Sequence, residues 1–200
     1  MAIFEGAGVA LVTPFKENGT VNYEVLESLI EEQIAAGTDC IVAMGTTGES
    51  ATTSEEEHIQ VIRFVCEVVN GRIPVVAGTG SNCTQTAVEL SVEAEEAGAD
   101  GVLLVSPYYN KATQNGLKAH FTKIANSIKI PAILYNVPSR TGVSFTAETY
   151  QVLSQNPKIN GVKEASGNLS LITHTRYLCG DDFYIWSGND DQVVPMMALG

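Results

Sequence analysis

The chain has 200 residues, of which 44% are hydrophobic and 17% are charged, a balance typical of a soluble folded protein rather than a disordered one. Lys and Arg number 11 against 23 Asp and Glu, and the net charge of −12 argues against binding to nucleic acid or to an anionic membrane. The sequence opens without a signal-peptide pattern, and none of the four cysteines belongs to a C-x-x-C pair. We therefore expect a cytoplasmic protein with reduced thiols and no metal ion.

Seven short apolar runs recur along the chain and predict strands. Most are nearly continuous rather than alternating in polarity, which is typical of parallel strands covered on both faces. The runs are Val9–Val12, Cys40–Met44, Pro74–Ala77, Gly101–Val105, Ala132–Tyr135, Gly161–Lys163 and Phe183–Trp186.

Helix patterns separate these runs. Asn22 is suited to cap a helix that ends at Gly37, and Ser54 with Glu57 three residues later is typical of a capping box. The other helix patterns run from about Gln85 to Gly98, Gly116 to Ile128, Thr146 to Leu153, Asn168 to Leu178 and Gln192 to Leu199.

This regular succession of βα units favours a barrel over a doubly wound sheet. A weak internal repeat supports the barrel, because Ala36–Val42 resembles Ala97–Leu103 and Ile73–Val75 resembles Ile130–Ala132. We expect an α/β fold, a (β/α)8 TIM barrel, with only about the first seven βα units present in residues 1–200.

The expected barrel is a single domain that is incomplete at its carboxyl end, because eight βα units typically need about 250 residues. The first strand (Gly8–Pro14) and the seventh (Phe183–Ser187) should then each keep one unpaired edge, separated by a gap of roughly 10 Å. Direct ladder hydrogen bonds between them would instead mean a closed seven-stranded barrel.

The active residues of such a barrel lie at the carboxyl ends of its strands, and Lys163 is the most informative residue there. If its side chain points into the barrel, desolvation lowers its pKa and gives the neutral amine that attacks a ketone. The alternative is a lysine that extends from a strand end to solvent, and from Lys163 alone the two readings are evenly matched.

Five further strand-end residues are candidates for the same pocket. Tyr135 could shuttle protons or be a core tyrosine, and Thr46 and Thr47 could hold a carboxylate or only shape a turn. Arg140 lies in a loop bounded by Pro and Gly that suits bidentate carboxylate binding, although an isolated Arg more often forms a surface ion pair. Gly188 follows the seventh strand and is a candidate substrate-binding residue.

Other chemistries have little support. The three histidines, His58, His120 and His174, lie far apart on helix patterns and predict no metal site. Gly78-Thr79-Gly80 lacks the third glycine of a dinucleotide fingerprint, and the sequence contains neither a P-loop nor a G-x-S-x-G elbow.

Three motifs together resemble the dihydrodipicolinate synthase family, which belongs to the pyruvate-dependent class I aldolase superfamily. They are Gly45–Ser50, Tyr135–Gly142 and Val162–Ala165, and the similarity extends from about Phe4 to Gly200. The resemblance implies condensation of pyruvate with L-aspartate 4-semialdehyde on the route to diaminopimelate and lysine. It implies no cofactor, because the substrate pyruvate forms a covalent imine with the enzyme.

The resemblance also implies a role for each motif residue. Lys163 would form the imine, Thr47 would bind the pyruvate carboxylate, and Arg140 would meet the carboxylate of the semialdehyde. A proton relay would consist of Thr46, Tyr109 and Tyr135. The family's usual homotetramer, a dimer of tight dimers, would place Tyr109 in the site of the neighbouring subunit.

Two alternatives remain open. N-acetylneuraminate lyase and keto-deoxy sugar acid aldolases share the lysine and the tyrosine, but they typically lack the Ser-Arg-Thr-Gly sequence that contains Arg140. A protein of another class, a catalytically silent barrel that serves as a binding protein, is disfavoured by the intact Lys163, Tyr135 and Thr46.

A possible allosteric site for lysine is also implied by the resemblance. The positions that match an effector site at the dimer interface are Ser50, Ala51, His58, Asn82 and Tyr108. Thr86 stands where lysine-inhibited members have a glutamate, and Glu55 replaces a histidine. Because the charged partner of the effector's ammonium group is missing, we expect weak or no inhibition by lysine.

Overall fold

The computed structural model describes residues 1–200 and contains one parallel sheet of seven strands in the order β1-β2-β3-β4-β5-β6-β7. Each strand pairs with its neighbours in sequence, and β1 and β7 each keep one unpaired edge. The seven predicted strands are confirmed, and a closed seven-stranded barrel is excluded. The strands are β1 (Gly8–Ala10), β2 (Cys40–Ala43), β3 (Val75–Gly78), β4 (Gly101–Val105), β5 (Ala132–Asn136), β6 (Ile159–Glu164) and β7 (Tyr184–Ser187).

Helices follow the strands and cover the outside of the sheet, as the α/β barrel prediction requires. They are α1 (Tyr23–Ala35), α2 (Glu55–Val69), α3 (Thr84–Glu96), α4 (Gln114–Ser127), α5 (Pro138–Thr141), α6 (Ala147–Leu153), α7 (Leu169–Cys179) and α8 (Val193–Met197). Single 3₁₀ turns occupy Thr46–Gly48, Ser50–Thr52 and Asp190–Gln192. None of the helices combines the length and the apolar character needed to cross a membrane.

The predicted helix caps are largely confirmed. The Asn22 side chain accepts a hydrogen bond from the N–H of Val25 at 3.3 Å, and the Ser54 hydroxyl accepts one from the N–H of Glu57 at 3.2 Å. The reciprocal bond from Glu57 is absent, so the capping box is only half formed. The helix predicted over 192–199 is shorter than expected, because a 3₁₀ turn precedes the five residues of α8.

Two apolar layers lie on the two sides of the sheet. The larger layer has 33 buried residues between the sheet and the helices. The smaller layer lies inside the barrel and is filled by the side chains of Cys40, Val42, Val76, Leu103 and Ile133. Tyr135 packs on this inner layer, as do Phe4 and Trp186, whose rings stack with centroids 5.2 Å apart. The interior is therefore a packed core, as is usual for this architecture.

A bulge in β6 ties down the beginning of the chain. The β5–β6 register shifts between Ala132 and Ile133, which leaves Asn160 as the extra residue in β6. The Asn160 side chain accepts a hydrogen bond from the N–H of Ile3 at 3.2 Å and donates one to the carbonyl of Met1 at 3.1 Å. The segment from Met1 to Phe4 thereby covers the end of the barrel opposite the carboxyl ends of the strands.

Candidate active site

The register of β5 and β6 brings Lys163 beside Tyr135. The two residues are direct partners in the parallel ladder, and Lys163 pairs with Trp186 on its other side. Tyr135 and Trp186 pack on the inner apolar layer, so Lys163 shares their inward-facing side of the sheet. Its Nζ lies 4.8 Å from the centroid of the Tyr135 ring. Of the two readings of this lysine, the structure supports the inward one.

The surroundings of Lys163 favour its neutral form. Burial lowers the pKa of Lys163 below its ordinary value of 10.5, and the negative charge of Asp190 opposes this effect only in part. Neither Lys163 Nζ nor the Tyr135 hydroxyl has a hydrogen-bond partner within the chain. A half-buried amine with a lowered pKa and a free lone pair has the properties of a nucleophile for a carbonyl carbon.

Gly188 leaves the space that the Lys163 side chain occupies. A Cβ atom at position 188 would lie 3.2 Å from the Cε of Lys163 and 2.8 Å from the Cβ of Ala165. Its N–H donates to the carbonyl of Glu164 at 2.8 Å, which joins the ends of β6 and β7. A larger residue here would displace the lysine, whereas direct contact of Gly188 with a substrate stays a prediction.

Thr46 faces the same cavity as Tyr135. Both residues line a cavity of about 30 Å³, together with Gly45, Ser50 and Gly80. The 3₁₀ turn at Thr46 is tied to the segment that follows β1, because the Thr13 hydroxyl donates to the carbonyl of Gly48 at 2.7 Å.

Thr47 is exposed and does not line this cavity. The hydrogen bonds of the turn run from the N–H groups of Gly48 and Glu49 to the carbonyls of Gly45 and Thr46. The turn itself therefore does not use the N–H groups of Thr46 and Thr47.

Arg140 lies in a one-turn helix, so the segment between Pro138 and Gly142 is helical rather than the predicted loop. Pro138 opens α5 at its first position, and Gly142 ends it with a φ of +73°. Pro suits the first turn because its φ is already helical and its missing N–H is not needed there. Arg140 is exposed and forms no salt bridge, and its charge opposes the burial that raises the pKa of Tyr135. The guanidinium is thus near the pocket and unpaired.

Tyr109 stands apart from the other members of the predicted relay. Its side chain is 90% exposed, its φ is +74°, and its N–H donates to the carbonyl of Thr141 at 3.3 Å. It forms no hydrogen bond with Thr46 or Tyr135 in this chain. A positive φ is strained for a residue with a bulky side chain, and this side chain gains no burial within its own chain.

The five candidate allosteric residues are only partly brought together. Asn82 donates from its side chain to the carbonyl of Tyr108 at 3.2 Å, and Ser50 and Ala51 share one 3₁₀ turn. His58 is buried, and its Nε2 donates to the carbonyl of Gly78 at 2.8 Å. Burial lowers the pKa of His58 and favours the neutral ring, so this residue fastens α2 to the end of β3.

Sequence reasoning missed a buried polar cluster behind the lysine. Glu164 is only 2% exposed and accepts hydrogen bonds from the side chains of Asn136 and Tyr150 and from the N–H of Ser166. The position of Glu164 directly after Lys163 could have predicted this cluster. Because successive strand residues point to opposite faces, a carboxylate there has to lie under the helices.

A barrel that carries an unpaired, partly desolvated lysine beside a tyrosine defines a Schiff-base-forming enzyme of the class I aldolase type. The sequence matches the profile of the Dihydrodipicolinate synthetase family over residues 3–200, and the chain belongs to that family.

Similar proteins carry related names. The 4-hydroxy-tetrahydrodipicolinate synthase of Lachnoclostridium phytofermentans is 57% identical over 201 residues, which cover 100% of this chain and 68% of the relative. That of Alkaliphilus oremlandii is 50% identical over 99% of this chain and 68% of the relative. The solved dihydrodipicolinate synthase from Aquifex aeolicus superimposes with a TM-score of 0.96 at 48% identity, over 98% of this chain and 67% of that one.

Proposed function

We propose that this protein condenses pyruvate with L-aspartate 4-semialdehyde and so forms 4-hydroxy-tetrahydrodipicolinate for lysine and diaminopimelate biosynthesis. The observation that carries the proposal is Lys163, which is half-buried and whose Nζ has no hydrogen-bond partner and lies 4.8 Å from the centroid of the Tyr135 ring. The family and its close relatives, which are named for this activity, support it.

The chemistry begins with an imine. The neutral Nζ of Lys163 attacks the keto carbon of pyruvate to give a carbinolamine, and its protonated hydroxyl leaves as water while the C=N bond forms. The cationic nitrogen then withdraws electrons from the methyl group, which loses a proton to give an enamine. The enamine carbon attacks the aldehyde carbon of the semialdehyde. The amino group of that substrate finally displaces the lysine from the imine carbon, so the reaction needs no separate cofactor.

Tyr135 transfers protons at the imine in this scheme. Its hydroxyl has no partner in the chain, and burial raises its pKa, so it remains a proton donor at neutral pH. Thr46 lines the same cavity and would pass protons to and from Tyr135. The N–H groups and hydroxyls of Thr46 and Thr47 would hold the pyruvate carboxylate.

Arg140 would bind the second substrate. Its exposed, unpaired guanidinium suits a bidentate contact with the carboxylate of the semialdehyde. This placement separates the two recognition tasks, because the carboxylate of pyruvate would lie at the threonine turn and the carboxylate of the semialdehyde at α5.

Tyr109 supports the prediction of a homotetramer built as a dimer of dimers. An exposed tyrosine with a positive φ costs stability in a single chain, and insertion into a second copy would offset that cost. One solved relative is described as a monomeric dihydrodipicolinate synthase variant, so assembly differs within the family. Sedimentation equilibrium tests the tetramer, and a cytoplasmic location stays a prediction from the sequence.

Weak inhibition by lysine stays a prediction as well. Thr86, on the first turn of α3, offers a hydroxyl where a carboxylate would bind the effector's ammonium group. Steady-state assays over a range of lysine concentrations test it, and half-inhibition at submillimolar lysine would contradict it.

Borohydride trapping tests the proposed function. The protein is incubated with pyruvate and borohydride, and peptide mass analysis should find one pyruvate-derived addition on the peptide that contains Lys163. Lys163→Ala is the matched control and should not be labelled. Modification at another lysine, or no modification, would refute the proposed mechanism.

A further inference from the structure

Glu164 is the only acidic residue buried in the core, and it is not part of the proposed chemistry. An isolated carboxylate is costly to bury, so its presence calls for compensating donors. They are present: one oxygen accepts from Ser166 N–H at 2.9 Å, and the other accepts from the Tyr150 hydroxyl at 2.9 Å. The Asn136 side-chain amide donates to both oxygens, at 3.0 and 3.2 Å.

These donors come from three different parts of the fold. Asn136 lies on β5 opposite Glu164 in the ladder, Tyr150 lies on α6, and Ser166 follows β6. Asn136 and Tyr150 are both fully buried. The carboxylate therefore joins two adjacent strands, the helix that covers them and the loop that leaves the active-site strand.

The main chain of Glu164 extends this connection to the other side of the lysine. Its carbonyl accepts from the N–H of Gly188 at 2.8 Å, and Gly188 is the residue whose missing side chain leaves room for the Lys163 Cε. The N–H of Ala165 donates to the carbonyl of Asn136 at 2.9 Å. The peptide that follows Lys163 is thus held from β5, from β7 and from the outer face.

We propose that Glu164 is a positioning residue for Lys163: its hydrogen bonds to Asn136, Tyr150 and Ser166 fix the end of β6 and thereby direct the lysine side chain into the pocket beside Tyr135. The inference rests on the proposed imine chemistry and adds a residue to it.

The effect is geometric rather than electrostatic. Glu164 and Lys163 are consecutive residues of one strand, so their side chains lie on opposite faces of the sheet. A glutamine at 164 can keep the arrangement. Its oxygen accepts from Asn136 and Ser166, and its amide donates to the Tyr150 hydroxyl, which rotates to accept. An alanine breaks all three connections.

The experiment compares imine formation in four forms of the protein: wild type, Glu164→Gln, Glu164→Ala and Thr149→Val. Thr149 is the matched control, because it is buried on the same helix as Tyr150 and donates to Gln114 at 2.7 Å but forms no hydrogen bond with Glu164. The rate of pyruvate trapping by borohydride is measured for each form as a function of pH, and melting temperatures are recorded alongside.

Glu164→Ala should trap pyruvate roughly 10- to 100-fold more slowly, since small misplacements of a reacting group cost rates of this order. Its rate profile should also move to higher pH, because a lysine that escapes from the pocket becomes more hydrated. The ionisable groups facing Lys163, Tyr135 on β5 and Asp190 after β7, are unchanged in these variants. Glu164→Gln should stay close to wild type, and Thr149→Val should keep the wild-type rate and profile at a lower melting temperature.

A folded Glu164→Ala protein with the wild-type rate and pH profile would overturn the inference. If that variant does not fold, Tyr150→Phe decides, because it removes one donor and keeps the ring packed against Phe145 and Phe183. Slower trapping supports the inference, and an unchanged rate overturns it. If wild type forms no imine, the proposed function itself fails and the inference fails with it.

Discussion

The two faces of the β5–β6 pair differ sharply although each uses neighbouring residues of the same strands. On the inner face, Lys163 and the Tyr135 hydroxyl have no hydrogen-bond partner and are only half-buried. On the outer face, Asn136 and Glu164 are almost fully buried and bonded to each other. The two inner groups are left free where a substrate would arrive, whereas the Glu164 carboxylate on the outer face is fully paired and only the Oδ1 of Asn136 lacks a partner there.

The difference shows how one strand can serve both chemistry and stability. Successive side chains of a strand point to opposite faces of the sheet. The pairs Tyr135–Asn136 and Lys163–Glu164 therefore each contain one residue that faces the pocket and one that faces the helices. A reactive amine has to remain unpaired to attack a carbonyl, whereas a buried carboxylate has to be paired to be tolerated at all. The following predictions test this division of roles.

The largest effect is expected for Lys163→Ala on the inner face. Loss of a nucleophile should lower kcat by roughly 10⁴- to 10⁶-fold. The melting temperature should change little, because the removed amine has no bond in the folded chain. Steady-state assays and thermal scans check both, and Lys123→Ala, an exposed change on α4, is the control. Substantial activity in Lys163→Ala would break the comparison.

Glu164→Ala on the outer face should lower stability in addition to slowing pyruvate trapping. It leaves Asn136 and Tyr150 without their buried acceptor, and the free energy of unfolding should fall by roughly 2–4 kcal/mol. Urea denaturation measures this loss. Glu164→Gln should lose much less, and equal losses in the two variants would show that charge rather than hydrogen bonding stabilises the cluster.

Arg140→Ala should separate the two substrates. Removal of a charge that binds a carboxylate should reduce transition-state binding by roughly 1.5–3 kcal/mol, and kcat/KM for the semialdehyde should fall accordingly. Pyruvate trapping on Lys163 should be unaffected. If trapping is lost instead, the assignment of Arg140 to the second substrate is wrong.

The smallest effect concerns the charge near Lys163. Asp190 raises the pKa of Lys163, so Asp190→Asn should lower that pKa further. The fraction of neutral amine then rises at a given pH, and the pH profile of pyruvate trapping should move to lower pH by a few tenths of a unit. Asp191→Asn, one residue later, is the control and should move the profile less. A shift to higher pH after Asp190→Asn would contradict the predicted sign.

Much of the scaffold was predictable from local patterns. Continuous apolar runs located every strand, and polar residues placed the caps of α1 and α2. The sequence did not show to which face of the sheet the Lys163 side chain points, because the predicted strand Gly161–Lys163 is too short to reveal a pattern. The pairing of Lys163 with Tyr135 and Trp186, which face the barrel interior, shows that it points inward. The helix around Arg140 escaped detection because a single turn has no periodicity.

The remaining part of the site depends on distant partners. The sequence assigns Glu164 no role of its own, and its burial depends on hydrogen bonds from Tyr150 and Asn136, which lie 14 and 28 residues away in sequence. Nothing in the sequence connects Gly188 with Lys163, and only the pairing of β6 with β7 brings Gly188 against the Cε of Lys163. Such contacts arise from the way strands and helices pack, and no local pattern encodes them.

The hydrogen bond between Ile3 and Asn160 joins residues 157 positions apart and has a consequence for the order of folding. A ribosome releases the chain from its amino end, so Ile3 and Phe4 emerge long before Asn160 and Trp186, their partners. The contacts of Ile3 with Asn160 and of Phe4 with Trp186 therefore form late, because they need β6 and β7, which are synthesised last. Contacts of such long range slow folding, and during synthesis these first apolar side chains remain available to a chaperone.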